Sequence, residues 1–297
     1  MHKRKPMSCS EVFMEKEMLV KRLEEKALEI RKDVITTCYR SAAAHLGGAL
    51  SLCDVAVALY YHFLRYDPKN YRADDRDRVI LSKGHSGCLL YNIFADLGIY
   101  SFEDIYNGYN KVEGAFGQHP NRLYLPMFEA STGSLGHGLS LAFGMAMALR
   151  CDNSDSRVFC ITGDGELDEG SNWEALMSAA NYELSNLFLI IDRNHLQGCR
   201  PTEETIRLES LEAKLRAFNW DVVSFDGNNM REIVDVFSAL PERDPKTRRK
   251  PLAFISNTVK GKGVDFMENN PIYHVAALNE ETYKKAMDSL NRLEVKR

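Results

Sequence analysis

The chain has 297 residues, 44% of them hydrophobic and 27% charged, enough apolar material for one large or two small buried cores, which argues against disorder. The formal net charge is −4 and the 38 lysines and arginines are spread along the length instead of forming a stripe, which argues against nucleic acid as a partner. No run of about eighteen uncharged apolar residues is read and the amino terminus lacks the apolar core of a signal peptide, so no membrane span is expected and a cytoplasmic location is.

Residues 1–12 are polar and are expected to form a flexible tail, leaving 13–297 as a single domain. Leu19, Leu23, Ala27, Ile30 and Val34 recur at helical spacing and predict a long amphipathic helix. A second helix is predicted from Asp54 to Leu64, a short strand at Arg78–Leu81 and a helix at Ser86–Leu97. From Arg157 the alternation becomes regular. Strands are predicted at Val158–Ile161, Leu187–Ile191, Val222–Phe225 and Leu252–Ile255, separated by helices at Trp173–Tyr182, Leu208–Phe218 and Met230–Leu240. An irregular segment, 261–278, precedes a last helix at Glu280–Leu293. Strands that are apolar throughout and joined by helices predict an α/β fold, a parallel β-sheet covered by helices on both faces. The seven cysteines form no CxxC pair and read as reduced and structural, and the basic run Lys246–Lys250 reads as solvated loop.

Chemistry concentrates where strands end. Gly163-Asp164-Gly165 follows the strand at Val158–Ile161, which puts Asp164 at a carboxyl end, where open parallel sheets bind ligands. Thirty residues after Asp164, Asn194 stands at the matching end of the next predicted strand. A carboxylate oxygen, an amide oxygen and a nearby backbone carbonyl are hard ligands that suit Mg2+ or Ca2+, and such an ion completes its shell with phosphate oxygens. The pattern therefore predicts a metal-held diphosphate. A dinucleotide loop would need glycine three residues after Gly165, where the chain has Asp168.

Gly163-Asp164-Gly165, Glu169-Gly170, Glu174-Ala175 and Asp192-Arg193-Asn194 resemble the thiamine diphosphate motif of transketolases. Five further blocks resemble transketolase motifs in the family's order: Ala44-His45-Leu46-Gly47-Gly48, Ser82-Lys83-Gly84-His85, Gln118-His119-Pro120, Ser131-Thr132-Gly133-Ser134-Leu135-Gly136 and Lys260-Gly261-Lys262-Gly263. Transferred position by position, the resemblance implies the thiamine diphosphate-binding fold of the diphosphate (PP) type. It implies a metal held by Asp164, Asn194 and the carbonyl of Leu196. His85 and Gly165 would touch the diphosphate, and Gly133, Ser134 and Leu135 would line the middle of the cofactor. His45, His119 and His274 would surround the thiazolium and the sugar donor. Glu169 is placed with the cofactor-binding residues, and with Glu174 it matches acidic residues at the subunit contact. His2, His62 and His195 read as ordinary core or surface residues, and His137, where the family has glutamine, admits either reading.

The resemblance implies transfer of a two-carbon ketol unit from a ketose, phosphorylated or sulfonated, to an aldehyde. It covers the diphosphate-binding domain and not the domain that carries the family's catalytic glutamate. The expectation is therefore an amino-terminal subunit whose carboxy-terminal partner supplies that glutamate, assembled as an α2β2 heterotetramer. Departures from the family pattern stand at Cys199-Arg200, Asn228-Asn229, His137 and the neighbours of His274. Two other readings remain open: a subunit like the synthase that joins pyruvate to glyceraldehyde phosphate, and a non-catalytic scaffold that binds cofactor.

Overall fold

The structure, a computed structural model, describes residues 9–41, 44–198, 200–240 and 249–295. Helix α1 (Cys9–Ser41) has 33 residues, about 50 Å at 1.5 Å per residue. It buries Val20, Leu23, Ala27, Ile30, Val34 and Cys38 along one stripe. It begins inside the segment read as a tail, because Glu, Met and Lys extend a helix readily once it is nucleated. Residues 1–8 of that expected tail lie outside the described residues, as do residues 246–248 of the basic run.

Helix α2 (Leu46–Ala58) starts eight residues before the predicted Asp54. Gly47 and Gly48 read as a loop in sequence, but every residue of α2 is buried, and packing overrides glycine's weak helix preference. A π turn (Leu59–Phe63) continues it. The run Leu46–Phe63 is 18 residues long and apolar enough to resemble a membrane span, which the sequence reading overlooks; 83% of it is buried within the fold. Its one charge, Asp54, pairs with the buried Arg31 at 2.6 Å.

Next come β1 (Arg78–Leu81), α3 (Gly87–Asp96), and α4 (Phe102–Gly108), whose first turn is closed by a Ser101–Asp104 capping box. Then come α5 (Gly138–Cys151), β2 (Val158–Gly163), α6 (Gly170–Asn181) and β3 (Leu187–Arg193). A small hairpin of β4 (Leu196–Gln197) and β5 (Arg200–Pro201) leads into α7 (Thr202–Thr205) and α8 (Leu211–Ala217). The chain continues through β6 (Asp221–Asp226), α9 (Met230–Ser238), β7 (Leu252–Asn257) and α10 (Glu280–Val295). The periodicity does not predict α4 or α5. Helix α5 is apolar on almost every side, so no polar stripe marks its period.

The five long strands form one parallel sheet in the order β1-β2-β3-β7-β6. Their side chains alternate between two cores. Val79, Leu81, Phe159, Ile161, Phe188, Ile190 and Phe254 face the cluster built with α1, α2, α3, α9 and α10. Ile80, Val158, Cys160, Leu189, Ile191 and Ala253 face the cluster built with α5, α6 and α8. A sheet buried on both sides is the expected architecture.

Asp77 fastens the amino-terminal end of this sheet. Its fully buried carboxylate accepts from the backbone N–H of Arg65 and of Arg157, both at 2.9 Å, and from both guanidiniums. Burial by itself would raise its pKa, but Arg157 holds it below the ordinary carboxylate value. Replacing Asp77 with alanine orphans two arginines and two amides, so urea unfolding should report a loss of about 3 kcal/mol at neutral pH. This contribution is complete above about pH 4 and fades as pH falls through the depressed folded pKa, so wild type and variant should converge in acid.

Candidate active site

The register pairs Gly163 of β2 with Asp192 of β3, so the turns that follow these strands meet at the carboxyl edge of the sheet. Asp164, 2% exposed, caps the turn Gly165–Asp168. Its Oδ1 accepts the Gly165 N–H at 2.8 Å; its Oδ2 accepts the His195 N–H at 2.7 Å and Arg193 Nη1 at 3.1 Å. Asn194 Oδ1 accepts the Leu196 N–H at 3.2 Å, and its Nδ2 donates to Asp192 at 3.1 Å. Between them, His195 adopts a left-handed φ of 64°, uncommon for a residue with a side chain, and this sharpens the turn. Asp164, Asn194 and Leu196 are thus gathered around one turn.

Beneath them lies a buried charge pair that the sequence reading did not single out. Lys83 forms an ion pair with Asp192, their side chains 1% and 0% exposed. Asp192 also accepts from Ser51 Oγ at 2.6 Å and from Thr258 Oγ1, while Lys83 Nζ donates to the Gly48 carbonyl at 3.1 Å. Burial opposes ionisation of Asp192, yet Lys83 holds its pKa below the ordinary value. Glu166 ties a further loop to the same edge. Its carboxylate accepts the Gly136 and Gly163 N–H groups at 3.0 Å each, and Ser82 Oγ. The Ser82-Lys83 motif was visible in sequence, but Lys83 and Asp192 lie 109 positions apart, and no spacing rule joins them.

Four histidines meet above this edge. His45 ring centroids lie 5.4 Å from His85, 5.7 Å from His119 and 5.3 Å from His274, and His85 lies 5.5 Å from His274. Burial, aided by His119 and Lys260, pushes His45 down to about 4; burial and Lys260 push His274 down to about 4. His85 falls well below its usual value through burial and the nearby Lys83, and burial also lowers His119. All four are therefore neutral at pH 7. The Nδ1 atoms of His45 and His274 are buried without a partner among the described residues.

The remaining candidates form the rim. Gly133 takes a φ of +139°, and a Cβ there would lie 2.9 Å from the His119 ring, so only glycine lets this turn close on the imidazole. Ser134 and Leu135 are exposed beside it, and the exposed Glu169 packs against Gly136. A Cβ on Gly165 would meet Gln197 at 2.7 Å. Glu174 lies exposed on α6. His137 is exposed, with Nδ1 3.1 Å from the Leu135 carbonyl. Of the departures, Asn228 bridges Asp54, at 2.9 Å, to the Val259 N–H, at 2.8 Å, and Asn229 caps α9. Both serve the scaffold. Arg200 is exposed in β5, and Cys199 lies outside the described residues.

These residues fit a metal-held diphosphate. Among the described residues no group of three or more His, Cys, Asp or Glu side chains could hold a metal by itself. One carboxylate, one amide oxygen and one carbonyl form a partial shell that ligand oxygens would complete. Burial and the neighbouring Asp192 raise the pKa of Asp164, against the pull of Arg193. A cation already stands close by: Lys260 Nζ donates to the Leu196 carbonyl at 2.9 Å.

Comparison with known proteins agrees with this chemistry. The family described as "Transketolase, thiamine diphosphate binding domain" matches residues 24–292. The chain is 39% identical over 274 residues to one subunit of the apulose-4-phosphate transketolase of Phocaeicola vulgatus, covering 91% of this chain and 94% of that one. It is 38% identical to the 6-deoxy-6-sulfo-D-fructose transketolase subunit SqwG of a Clostridium species, covering 91% and 96%. Human transketolase is 31% identical over 253 residues, but only 39% of its length is covered. The crystal structure of transketolase from Campylobacter jejuni superposes with a TM-score of 0.81 at 30% identity, covering 91% of this chain and 42% of that one. The chain thus spans nearly the whole of the two subunits and about two fifths of the longer transketolases.

Because His45 and His274 have lowered pKa values, the folded state binds fewer protons than the unfolded one between about pH 6.5 and 4. Stability should therefore fall as pH drops through that window. Thermal melts across it, with NMR titration of the imidazoles, check this; assigned resonances of His45 and His274 titrating near 6.5 would contradict the buried neutral cluster.

Proposed function

The chain belongs to the transketolase family, whose thiamine diphosphate-binding domain it carries, and we propose how its residues serve transfer of a two-carbon ketol unit between a ketose and an aldehyde. It is the amino-terminal subunit of a two-chain transketolase, as its near full-length match to two such subunits indicates. The observation that supports the site assignment is the turn at 194–196, in which the His195 N–H donates to the buried Asp164 and the Leu196 N–H to Asn194. Asp164, Asn194 and Leu196 would hold Mg2+ or Ca2+. His85 and Gly165 would touch the diphosphate, and Gly133 to Leu135 would flank the middle of the cofactor.

When bound, thiamine diphosphate supplies the electron sink for the charge left as the donor's carbon–carbon bond breaks. Protons and placement fall to the chain. A neutral imidazole carries one N–H donor and one acceptor nitrogen, so His45, His119 and His274 can donate to the donor's carbonyl oxygen and accept from its hydroxyl. The unpartnered Nδ1 atoms of His45 and His274 leave positions open for such contacts.

The glutamate that the family uses on the cofactor's aminopyrimidine would come from the partner subunit, in an α2β2 assembly. The exposed Glu169 and Glu174 suit the subunit contact. The names of the two subunit relatives point to a phosphate-bearing or sulfonated ketose, and the departures around His274 leave room for a donor other than the ordinary pentose phosphates. One five-stranded sheet with both faces covered supports residues 13–297 as one domain, and the five free cysteines found among the described residues suit a cytoplasmic location.

Calorimetric titration of thiamine diphosphate with Mg2+ into this chain mixed with its partner should show metal-dependent binding that Asp164→Ala abolishes. Unchanged affinity in that variant would sink the metal assignment. His119→Ala should leave cofactor affinity nearly intact and lower kcat roughly a hundredfold, the scale of a positioned acid or base. Equal loss of cofactor affinity would make His119 a binding residue instead.

A further inference from the structure

At the opposite end of the sheet, where β1 begins, lies a cleft of about 480 Å³ walled by Arg72, Arg76, Arg78 and Arg122. Two carboxylates, Asp74 and Glu129, share it, so four positive charges face two negative ones and the lining carries +2. A chain with a net charge of −4 and no basic stripe has concentrated cations in this cleft.

Two of the arginines are fixed in advance. Arg76 and Arg78 have side chains 10% and 14% exposed. Arg76 pairs with Glu129 and donates to the Asp77 carbonyl at 2.9 Å, yet its Nε is buried with no partner among the described residues. Arg78 spends its guanidinium on backbone carbonyls, those of Ala73 at 3.1 Å, Arg76 at 3.0 Å and Asp74 at 3.0 Å. These bonds order it, and its ion-pair partner Glu129, at 3.9 Å, is shared with Arg76. Burial and the adjacent Arg76 lower the pKa of Arg78, the direction expected where positive charge is undercompensated.

The other two arginines are exposed. Arg72 stands over the Tyr71 ring at 5.5 Å, and among the described residues neither Arg72 nor Arg122 has a carboxylate partner. Two rigid guanidiniums inside and two adjustable ones at the rim match a multiply charged oxyanion, which arginine forks grip in bidentate fashion. A cleft of this volume suits a small molecule instead of a polymer.

We propose that this cleft is a binding site for a small di- or polyphosphate anion, separate from the cofactor site. The loop that forms one wall leaves the active site at His119-Pro120 and returns at Thr132, where Thr132 N–H donates to the Pro120 carbonyl at 3.2 Å and its Oγ1 to the Leu81 carbonyl at 2.7 Å. An anion seated on Arg122 and Glu129's partner Arg76 therefore grips the same loop whose ends position His119 and Gly133.

The test is calorimetric titration of inorganic pyrophosphate into the full chain in EDTA at low salt, where removal of divalent ions disables the cofactor site. The wild-type chain should bind pyrophosphate, and Arg72→Gln/Arg122→Gln should weaken that binding at least tenfold. Both side chains are exposed and hold no buried partner, so an unchanged circular dichroism spectrum will accompany the loss. Asp164→Ala should bind as wild type does. Absence of binding at millimolar pyrophosphate, or equal affinity in the double arginine variant, overturns the proposal. Loss of binding in Asp164→Ala also overturns it, by assigning the anion to the cofactor site.

Discussion

Everything at the carboxyl edge of the sheet hangs on the buried pair between Lys83 and Asp192. Removing two opposite charges from water costs several kcal/mol per ion, and the cost is recovered only when their remaining hydrogen-bonding positions are filled. Here they are filled. Ser51, Thr258 and Asn194 donate to Asp192, and Lys83 donates to the Gly48 carbonyl. These partners come from α2, the turn after β1, the end of β3 and the turn after β7. Satisfying one ion pair therefore fixes four chain segments relative to one another, and Asn194 is one of the fixed groups.

The same dry environment sets the proton inventory. Burial keeps the imidazoles neutral around a common centre, and it raises the pKa of Asp164. Arg193 pairs with it from below through Nη1, which also donates to Thr202, while Nη2 donates to Glu203 and Glu209. Lys260 stands on the Leu196 carbonyl. The edge thus gathers neutral imidazoles above and buried carboxylates with their cationic partners below. Among the described residues, the buried Nδ1 atoms of His45 and His274 have no partner.

Much of the fold was legible because a parallel sheet buried on both faces needs apolar runs at every strand, and those runs survive inspection of the bare chain. Strand positions were met to within two residues. Helix α5 was missed because an almost wholly apolar helix shows no stripe, and the start of α2 was misplaced because two glycines there serve close packing instead of a turn. In Gly48 the reason is visible: an added Cβ would crowd Ser86, Lys83 and His85 at 3.1–3.3 Å.

By itself the sequence determined the alternation of strands and helices, the placing of Asp164 and Asn194 at strand ends, and the histidine-bearing loops, since each depends on residues close together along the chain. Only the tertiary structure decided which distant groups meet. Lys83 with Asp192, Lys260 with Leu196, Arg76 with Glu129, and four histidines drawn from positions 45 to 274 are contacts between segments that sequence distance leaves unrelated. The physical reason is that charge compensation and desolvation act through space, so a group's protonation and its purpose are set by neighbours that folding alone supplies.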